Sequence, residues 1–216
     1  PRCLMADEVG PISARLAKPF IERWHYSMRC PTGKNIFFGY LIDGVEHGLQ
    51  TDLFGRGLYA VANYGIGVNP YQADALSRLT GLHIEADKLL ELKRLCRVEP
   101  RLDNYPLTHF LSRCHRFLKQ EGFCFVVSFS DPQHGHNGGI YKAANFQHLG
   151  KTNPEVHVSE QDGTVRHRLY PIRYARRHGI SVKEARKDLR LESLKTPPKD
   201  RWFIQIARPL GGSEKG

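Results

Sequence analysis

Apolar residues form two kinds of pattern along this chain, short strand-like runs and one clear helical stripe. Residues 35–42 and 89–98 are rich in aliphatic and aromatic side chains and predict β-strands. Residues 123–130 are a continuous apolar run, typical of a strand buried on both faces. The helical stripe precedes this last strand and consists of Leu107, Phe110, Leu111, Cys114, Phe117 and Leu118. The order strand, helix, strand predicts parallel neighbours in an α/β sheet.

Weaker signals precede this core. A short helix is predicted over residues 19–24, with a proline in its first turn. Asp43-Gly44 predicts a hairpin whose second strand covers residues 45–54. Residues 60–82 show no clear period, and we interpret them as mostly loop.

The pattern after the core predicts smaller elements. We expect a short helix over residues 140–144 and a strand over 146–150. A hairpin is predicted around Gly163. Ser181 with Glu184 three residues later forms a capping box, which predicts a helix that ends near residue 194.

Positive charge is concentrated in the last quarter of the chain. The whole sequence has 32 Lys and Arg against 22 Asp and Glu, a net charge of +10. Residues 164–216 hold 14 of these cations and 5 of the acids, a net charge of +9. Tyr170, Tyr174 and Trp202 interleave with the cations, a mixture that favours nucleic acid as the partner. The alternative is a solvated surface that only keeps the protein in solution.

Two classes of protein do not fit the composition. The densest apolar run, residues 123–129, is far too short to cross a bilayer, so we expect no membrane partner. The five cysteines are odd in number and have no C-x-x-C spacing. We therefore expect neither a disulfide framework nor a cysteine zinc site, and a reducing, cytoplasmic-type compartment.

The polar loop over residues 131–139 carries the most chemistry. It follows the end of a buried strand, where α/β sheets place their ligands. Asp131 and His134 are candidates for base and acid, and Tyr141 lies one helical turn further on. The alternative is a tight turn in which Asp131 caps the next segment. His134 and His136 also form an H-x-H pair, a weak metal signal.

Other residues carry less specific signals. Lys34 stands in an incomplete phosphate-loop pattern, and His25 ends a predicted helix as either a surface residue or a catalyst. Arg94 lies between apolar neighbours on a strand and needs a carboxylate, a phosphate or a water-filled cleft as partner. Residues 54–59, with His47 upstream, superficially resemble ADP-ribosyltransferases, but no convincing catalytic Glu follows.

Several stretches together resemble the Mom family, the DNA-modifying proteins of Mu-like bacteriophages. The resemblance covers roughly residues 20–170, and its longest stretch is residues 128–146. The other stretches are Trp24-His25-Tyr26-Ser27, Pro31-Thr32-Gly33-Lys34, Phe38-Gly39, Phe54-Gly55-Arg56-Gly57, Leu92-Lys93-Arg94-Leu95 and Arg166-His167-Arg168.

The resemblance implies a fold and an activity. The fold is expected to be similar to the GNAT acyltransferases, an α/β fold with a mixed central sheet flanked by helices. A catalytic domain would cover residues 1–165, and residues 166–216 would form a basic extension for DNA contact. The implied activity is carbamoylmethylation (an acetamido group) of the exocyclic amine of adenine in double-stranded DNA, in the cytoplasm of the bacterial host. Such modification protects a phage genome from host restriction.

The resemblance also implies site residues. The catalytic candidates are Asp131, Tyr141, His25 and Ser128, and the donor-binding candidates are Arg94, Arg101 and Lys34. Tyr26 is a weaker candidate. The basic residues expected to contact DNA are Arg166, Arg168, Arg176, Arg177, Lys183, Lys187 and Arg190. In this scheme Asp131 or His25 takes a proton from the adenine amine, and Tyr141 donates a proton to the leaving group or stacks on the base.

The group donor stays open at this level. GNAT enzymes hold an acyl-CoA pyrophosphate on a Gly-rich turn, and the corresponding residues 99–106 contain no Gly. An acyl-CoA-type donor, another small-molecule donor, and an iron ion on His134 and His136 are all compatible with the sequence. The alternative functions are an acyltransferase on a non-DNA substrate and a non-catalytic DNA-binding module. The oligomeric state is not predicted.

Overall fold

A computed structural model of the chain describes residues 7–42, 57–67, 69–99, 101–154, 156–166 and 169–209. Its centre is a seven-stranded mixed sheet. In spatial order the strands are β1 (Asp7–Pro11), β2 (Asn35–Ile42), β3 (Gly57–Gly65), β4 (Leu89–Arg97), β5 (Phe125–Ser130), β10 (Asp200–Gln205) and β6 (Gln147–Lys151). β4 and β5 are parallel, and the other neighbours pair antiparallel.

Helices cover the central sheet, and a smaller sheet accompanies it. The helices are α1 (Ala14–Trp24), α2 (Gln72–Thr80), α3 (Leu107–Gln120), α4 (Gly139–Ala143), α5 (Tyr170–His178) and α6 (Val182–Asp188). The smaller sheet has the strand order β8 (Val165–Arg166), β7 (Val156–Ser159) and β9 (Glu192–Lys195). Short 3₁₀ turns occur at Ala86–Lys88 and Pro132–His134.

The core lies between the central sheet and α3. The apolar face of α3 is fully buried at Phe110, Leu111 and Cys114. Phe110 stacks on Tyr40 of β2 with ring centroids 5.4 Å apart. Burial of one such side chain stabilises the fold by roughly 1.5–3 kcal/mol, so this contact holds α3 firmly against the sheet.

β4 and β5 diverge near the middle of the sheet. They pair only from Leu89 with Phe125 to Leu92 with Ser128, although β4 continues to Arg97 and β5 to Ser130. The pairing of β4 with β3 also shifts register at this level. The two parallel strands therefore leave a gap beyond Leu92, and that gap opens at their carboxyl ends.

The predicted core elements are confirmed, but two predictions near the start of the chain are wrong. Residues 60–82, interpreted as loop, contain most of β3 and all of α2. All nine residues of β3 are buried, so the strand has no alternating pattern. α1 begins at Ala14 rather than at residue 19, with Pro19 inside it, because Ala17, Phe20 and Ile21 form one buried face. The predicted hairpin at 43–44 and its strand at 45–54 lie outside the described residues.

The last quarter of the chain mixes confirmed and missed elements. The hairpin around Gly163 and the Ser181–Glu184 capping box are present. The predicted helix stops at Asp188 instead of residue 194, and α5 was not predicted. β10 lies inside the central sheet between β5 and β6, so part of the expected extension belongs to that sheet. The division at residue 165 stays a prediction.

Candidate active site

A cavity of about 440 Å³ lies in the gap between β4 and β5. Its walls come from the end of α1, the second half of β4, the end of β5 with the following loop, and the start of α4. The polar and aromatic residues that line it include His25, Tyr26, Lys93, Arg97, Ser130, Asp131, His136, Asn137 and Tyr141. This volume suits a small molecule or a single base.

A hydrogen-bond chain closes the inner end of the gap. Ser128 Oγ lies 2.9 Å from the carbonyl oxygen of Leu92 and 2.9 Å from the hydroxyl of Tyr141. A serine has one proton and a carbonyl oxygen only accepts, so Ser128 donates to Leu92 and Tyr141 donates to Ser128. Burial raises the pKa of the Tyr141 phenol. Tyr141 therefore stays neutral near pH 7 with its proton directed at Ser128, and only its lone pairs remain for a ligand.

The environment of His25 determines which of its nitrogens has the proton. The backbone N–H of Ser27 donates to Nδ1 of His25 at 3.1 Å, and the Ser27 hydroxyl lies 2.8 Å from the same nitrogen. Burial, followed by the charges of Arg94 and the neighbouring histidines, lowers the pKa of His25 to about 4. The ring is therefore neutral, and its proton is on Nε2. In this tautomer His25 is a hydrogen-bond donor, which makes it a poor candidate for the base.

Asp131 has both roles that the sequence left open. One carboxylate oxygen accepts a hydrogen bond from the backbone N–H of Gln133 at 3.1 Å and caps the 3₁₀ turn. The residue also lines the cavity and is only half-buried. A carboxylate fixed by one such bond keeps lone pairs free to accept a proton or a hydrogen bond from a ligand.

Aromatic rings cluster at one wall of the cavity. The Tyr26 ring centroid lies 4.3 Å from that of His25, 4.3 Å from that of His134 and 4.9 Å from that of His136. Burial and the nearby Asp131 raise the pKa of Tyr26, so its hydroxyl is neutral. The histidine pair thus contacts a tyrosine. No group of three His, Cys, Asp or Glu that could hold a metal ion occurs in the part of the chain that the structure describes. An iron requirement stays a prediction.

Trp202 supports the cavity from behind, and sequence reasoning missed this role. Its indole N–H donates to Ser130 Oγ at 2.9 Å, and its ring stacks on Tyr141 with centroids 5.8 Å apart. Gly138 has φ +76°, and a Cβ on it would overlap the indole. The glycine pair at 138–139 was the one signal in the sequence, because a glycine often marks close approach of another group.

The three predicted donor-binding cations do not line the cavity. Arg94 Nε and Nη1 donate to the carbonyl oxygens of Arg29 and Lys93, at 3.2 and 2.7 Å. Its partners are thus backbone carbonyls rather than a carboxylate, and it affects the site through its charge beside His25. Arg101 is exposed and pairs with Asp103, and Lys34 is exposed in a turn. Lys93 and Arg97 of β4, which were not predicted, do line the cavity.

A second groove lies along α3 and the end of α4. It measures about 650 Å³ and begins at Thr108, the residue after Leu107, which lines the first cavity. On the α4 side it includes residues 143–145, just beyond Tyr141. Arg116 and Lys119 of α3 line it. The second groove thus has two cations on its α3 side.

The predicted DNA-contacting cations that the structure describes are exposed on β8, on α5 and α6, and just after α6. Arg176, Arg177, Lys183 and Lys187 project from these two helices. Arg166 pairs with Glu160 at 2.9 Å, and Arg190 donates to Gln161 at 3.3 Å. Arg168 lies outside the described residues. Contact of this group with DNA stays a prediction.

The fold defines a class of protein. NAA60 of Arabidopsis thaliana, solved in complex with acetyl-CoA, is similar with a TM-score of 0.53 and 9% identity, over 93% of this chain and 99% of that chain. A candidate acetyltransferase of Acinetobacter baylyi ADP1 is similar with a TM-score of 0.52 and 9% identity, over 100% of both chains. The chain therefore has the GNAT acetyltransferase fold, as the resemblance implied. The splayed parallel strands lie at its centre.

A model of the Mom protein family matches residues 7–207, and the chain belongs to this family. This confirms the resemblance seen in the sequence to the DNA-modifying proteins of Mu-like bacteriophages. Exoribonuclease 2 of Shigella flexneri is 34% identical over 87 residues. That match covers 39% of this chain and 13% of the relative, too little to transfer an activity. No helix in the described ranges is long and apolar enough to cross a bilayer.

Proposed function

We propose that this protein transfers a carbamoylmethyl group to the exocyclic amine of adenine in double-stranded DNA. The observation that supports this most is the joint placement around one cavity of Asp131 and of Tyr141, whose hydroxyl is hydrogen-bonded to the buried Ser128. The cavity opens between the splayed strands of a transferase fold. A carboxylate that can accept a proton and a neutral phenol suit an acceptor that must lose a proton as it reacts.

The chemistry requires few groups from the protein. The adenine nitrogen forms a bond to the donor's methylene carbon, and the bond from that carbon to the leaving group breaks with its electron pair. Asp131 accepts the proton that the amine releases. Tyr141, whose own proton is directed at Ser128, accepts a hydrogen bond from the second amine hydrogen and orients the nucleophile. His25 donates through Nε2 and stabilises negative charge that develops on the donor.

The groove beyond the cavity suggests where an anionic donor would bind. Arg116 and Lys119 line it, and it adjoins the start of α3. Cations along a groove suit phosphates, so a donor whose methylene carbon bears a phosphate-containing leaving group fits the residues present. Its arm would enter the gap past Lys93 and Arg97. No Gly-rich turn is needed if these side chains supply the positive charge.

Duplex DNA would have to present one base to this site. An adenine stacked inside the DNA duplex cannot reach a cavity between β4 and β5 of the protein. It would therefore be extruded from the duplex, at a cost of a few kcal/mol. The exposed cations of α5 and α6 would neutralise phosphates of the flanking duplex.

Nucleoside mass spectrometry of DNA from cells that express the chain tests this function. We expect an adenine derivative heavier by one carbamoylmethyl group in wild-type cells and its loss in Asp131→Asn. Asp74→Asn, on exposed α2 away from the cavity, is the matched control and should retain modification. Unaltered adenine in wild-type cells would favour a DNA-binding module or a different acceptor. Wild-type levels of product in Asp131→Asn would exclude that residue as the base.

A further inference from the structure

Two rings on one side of the cavity remain open to solvent although they contact each other. Tyr26 is 46% exposed, and His136 is also exposed. Their centroids lie 4.9 Å apart at an interplanar angle of 48°. They come from separate segments, Tyr26 from the turn after α1 and His136 from the loop after β5, and both line the cavity. We call this pair the ring wall.

Other rings hold the ring wall in place. His25 and His134 each contact Tyr26 with centroids 4.3 Å apart. His25 is itself buried and is fixed through Nδ1 by the Ser27 backbone. Tyr26 is thus held at its position while much of its surface stays open. Core packing does not explain this exposure, because a ring that served only the core would be buried.

We propose that the ring wall stacks the adenine that the protein extrudes from DNA. This inference rests on the proposed function and adds the surface that recognises the base. A purine is flat and apolar on its faces, which suits neutral aromatic side chains. Asp131 lines the same cavity as Tyr26 and His136, so a base stacked on the ring wall shares that cavity with the proton acceptor.

The ring wall distinguishes an extruded base from an empty position. Stacking depends on the face of a base, whereas the cations of α5 and α6 would contact phosphates whether or not a base is present. Loss of the ring at residue 26 should weaken binding only when a base is present to stack. The affinity for a duplex with an abasic site in place of the target adenine should stay the same.

Binding of the full chain to two duplexes tests this inference. One duplex has adenine at a position that wild-type expression modifies, and the other has an abasic analogue there. Fluorescence anisotropy gives the ratio of the two Kd values for wild type, Tyr26→Leu, Tyr26→Phe and Tyr71→Leu. Tyr71 is the matched control, since it is 70% exposed but lies at the start of α2 and does not line the cavity.

We expect Tyr26→Leu to weaken binding of the adenine duplex relative to the abasic duplex by about 5- to 100-fold. Tyr26→Phe keeps the ring and should retain the wild-type ratio, as should Tyr71→Leu. A folded Tyr26→Leu variant with the wild-type ratio of Kd values would refute the proposal that the ring wall stacks the adenine. If wild-type chain still modifies adenine in that case, the proposed function stands without it. If wild-type chain modifies no adenine, the proposed function fails first.

Discussion

The substitution Gly138→Ala tests how closely Trp202 packs behind the cavity. Gly138 has φ +76°, which costs an alanine roughly 1–2 kcal/mol. The new Cβ would also overlap the indole, so Trp202 must move away from its bond with Ser130. Overpacking typically costs about 1–3 kcal/mol, and an unpaired buried polar group a similar amount. We expect the free energy of unfolding to fall by roughly 3–8 kcal/mol.

Gly135→Ala is the matched control. Gly135 lies in the same loop with φ +73°, but a Cβ there would have no atom within 4 Å, so only the backbone strain of roughly 1–2 kcal/mol applies. Urea unfolding followed by tryptophan fluorescence gives the free energy of unfolding of both variants. Thermal unfolding also separates them, because each kcal/mol shifts its midpoint by roughly 2–4 °C in a chain of this size. Equal destabilisation of both variants would show that the close packing of Trp202 on Gly138 does not add to the cost of the substitution.

Three further predictions address the site and the basic tail. Tyr141→Phe should lower modification, measured by nucleoside mass spectrometry, by about 100-fold because the amine is no longer oriented, whereas Tyr64→Phe, which removes a buried hydroxyl with no partner among the described residues, should not. Burial lowers the pKa of His115 to about 4. Between about pH 6.5 and 4 the unfolded chain therefore binds more protons than the folded chain, and stability falls as pH falls through this window. Urea unfolding should show that the wild type loses about 1–2 kcal/mol more between pH 7 and pH 5 than His115→Gln does. Lys183→Ala with Lys187→Ala should reduce the salt dependence of DNA binding by about 0.9 in log–log slope for each phosphate that the variant no longer neutralises, and an unchanged slope would remove α6 from the DNA interface.

The candidate site was predicted in part. The loop after β5 and Tyr141 follow from the sequence, because both depend on a local order of strand, loop and helix. Lys93 and Arg97 were missed, and Arg94 was predicted in their place. Lys93, Leu95 and Arg97 alternate along β4 and all line the cavity. The sequence gives this alternation, but which face of β4 borders the cavity depends on how the sheet packs.

The identity of the residue that accepts the proton also depends on contacts that the sequence does not show. From the sequence Asp131 was the predicted proton acceptor, and His25 stayed open as the alternative. The tertiary structure separates them, because a backbone N–H from Ser27 occupies the nitrogen through which His25 would accept a proton. Whether a histidine donates or accepts depends on groups around it, and residue type alone does not specify those groups.

The amino-acid pattern by itself determined the α/β class, the parallel crossover through α3, the polar loop beside Asp131 and the capped helix α6. Each of these depends on residues close together in the chain, where periodicity and capping act. Only the tertiary structure decided that β4 and β5 diverge, that Tyr26 meets His136, and that Trp202 supports the cavity. Trp202 and Ser130 are 72 residues apart in sequence, and such contacts are determined by the packing of the whole sheet rather than by any local signal.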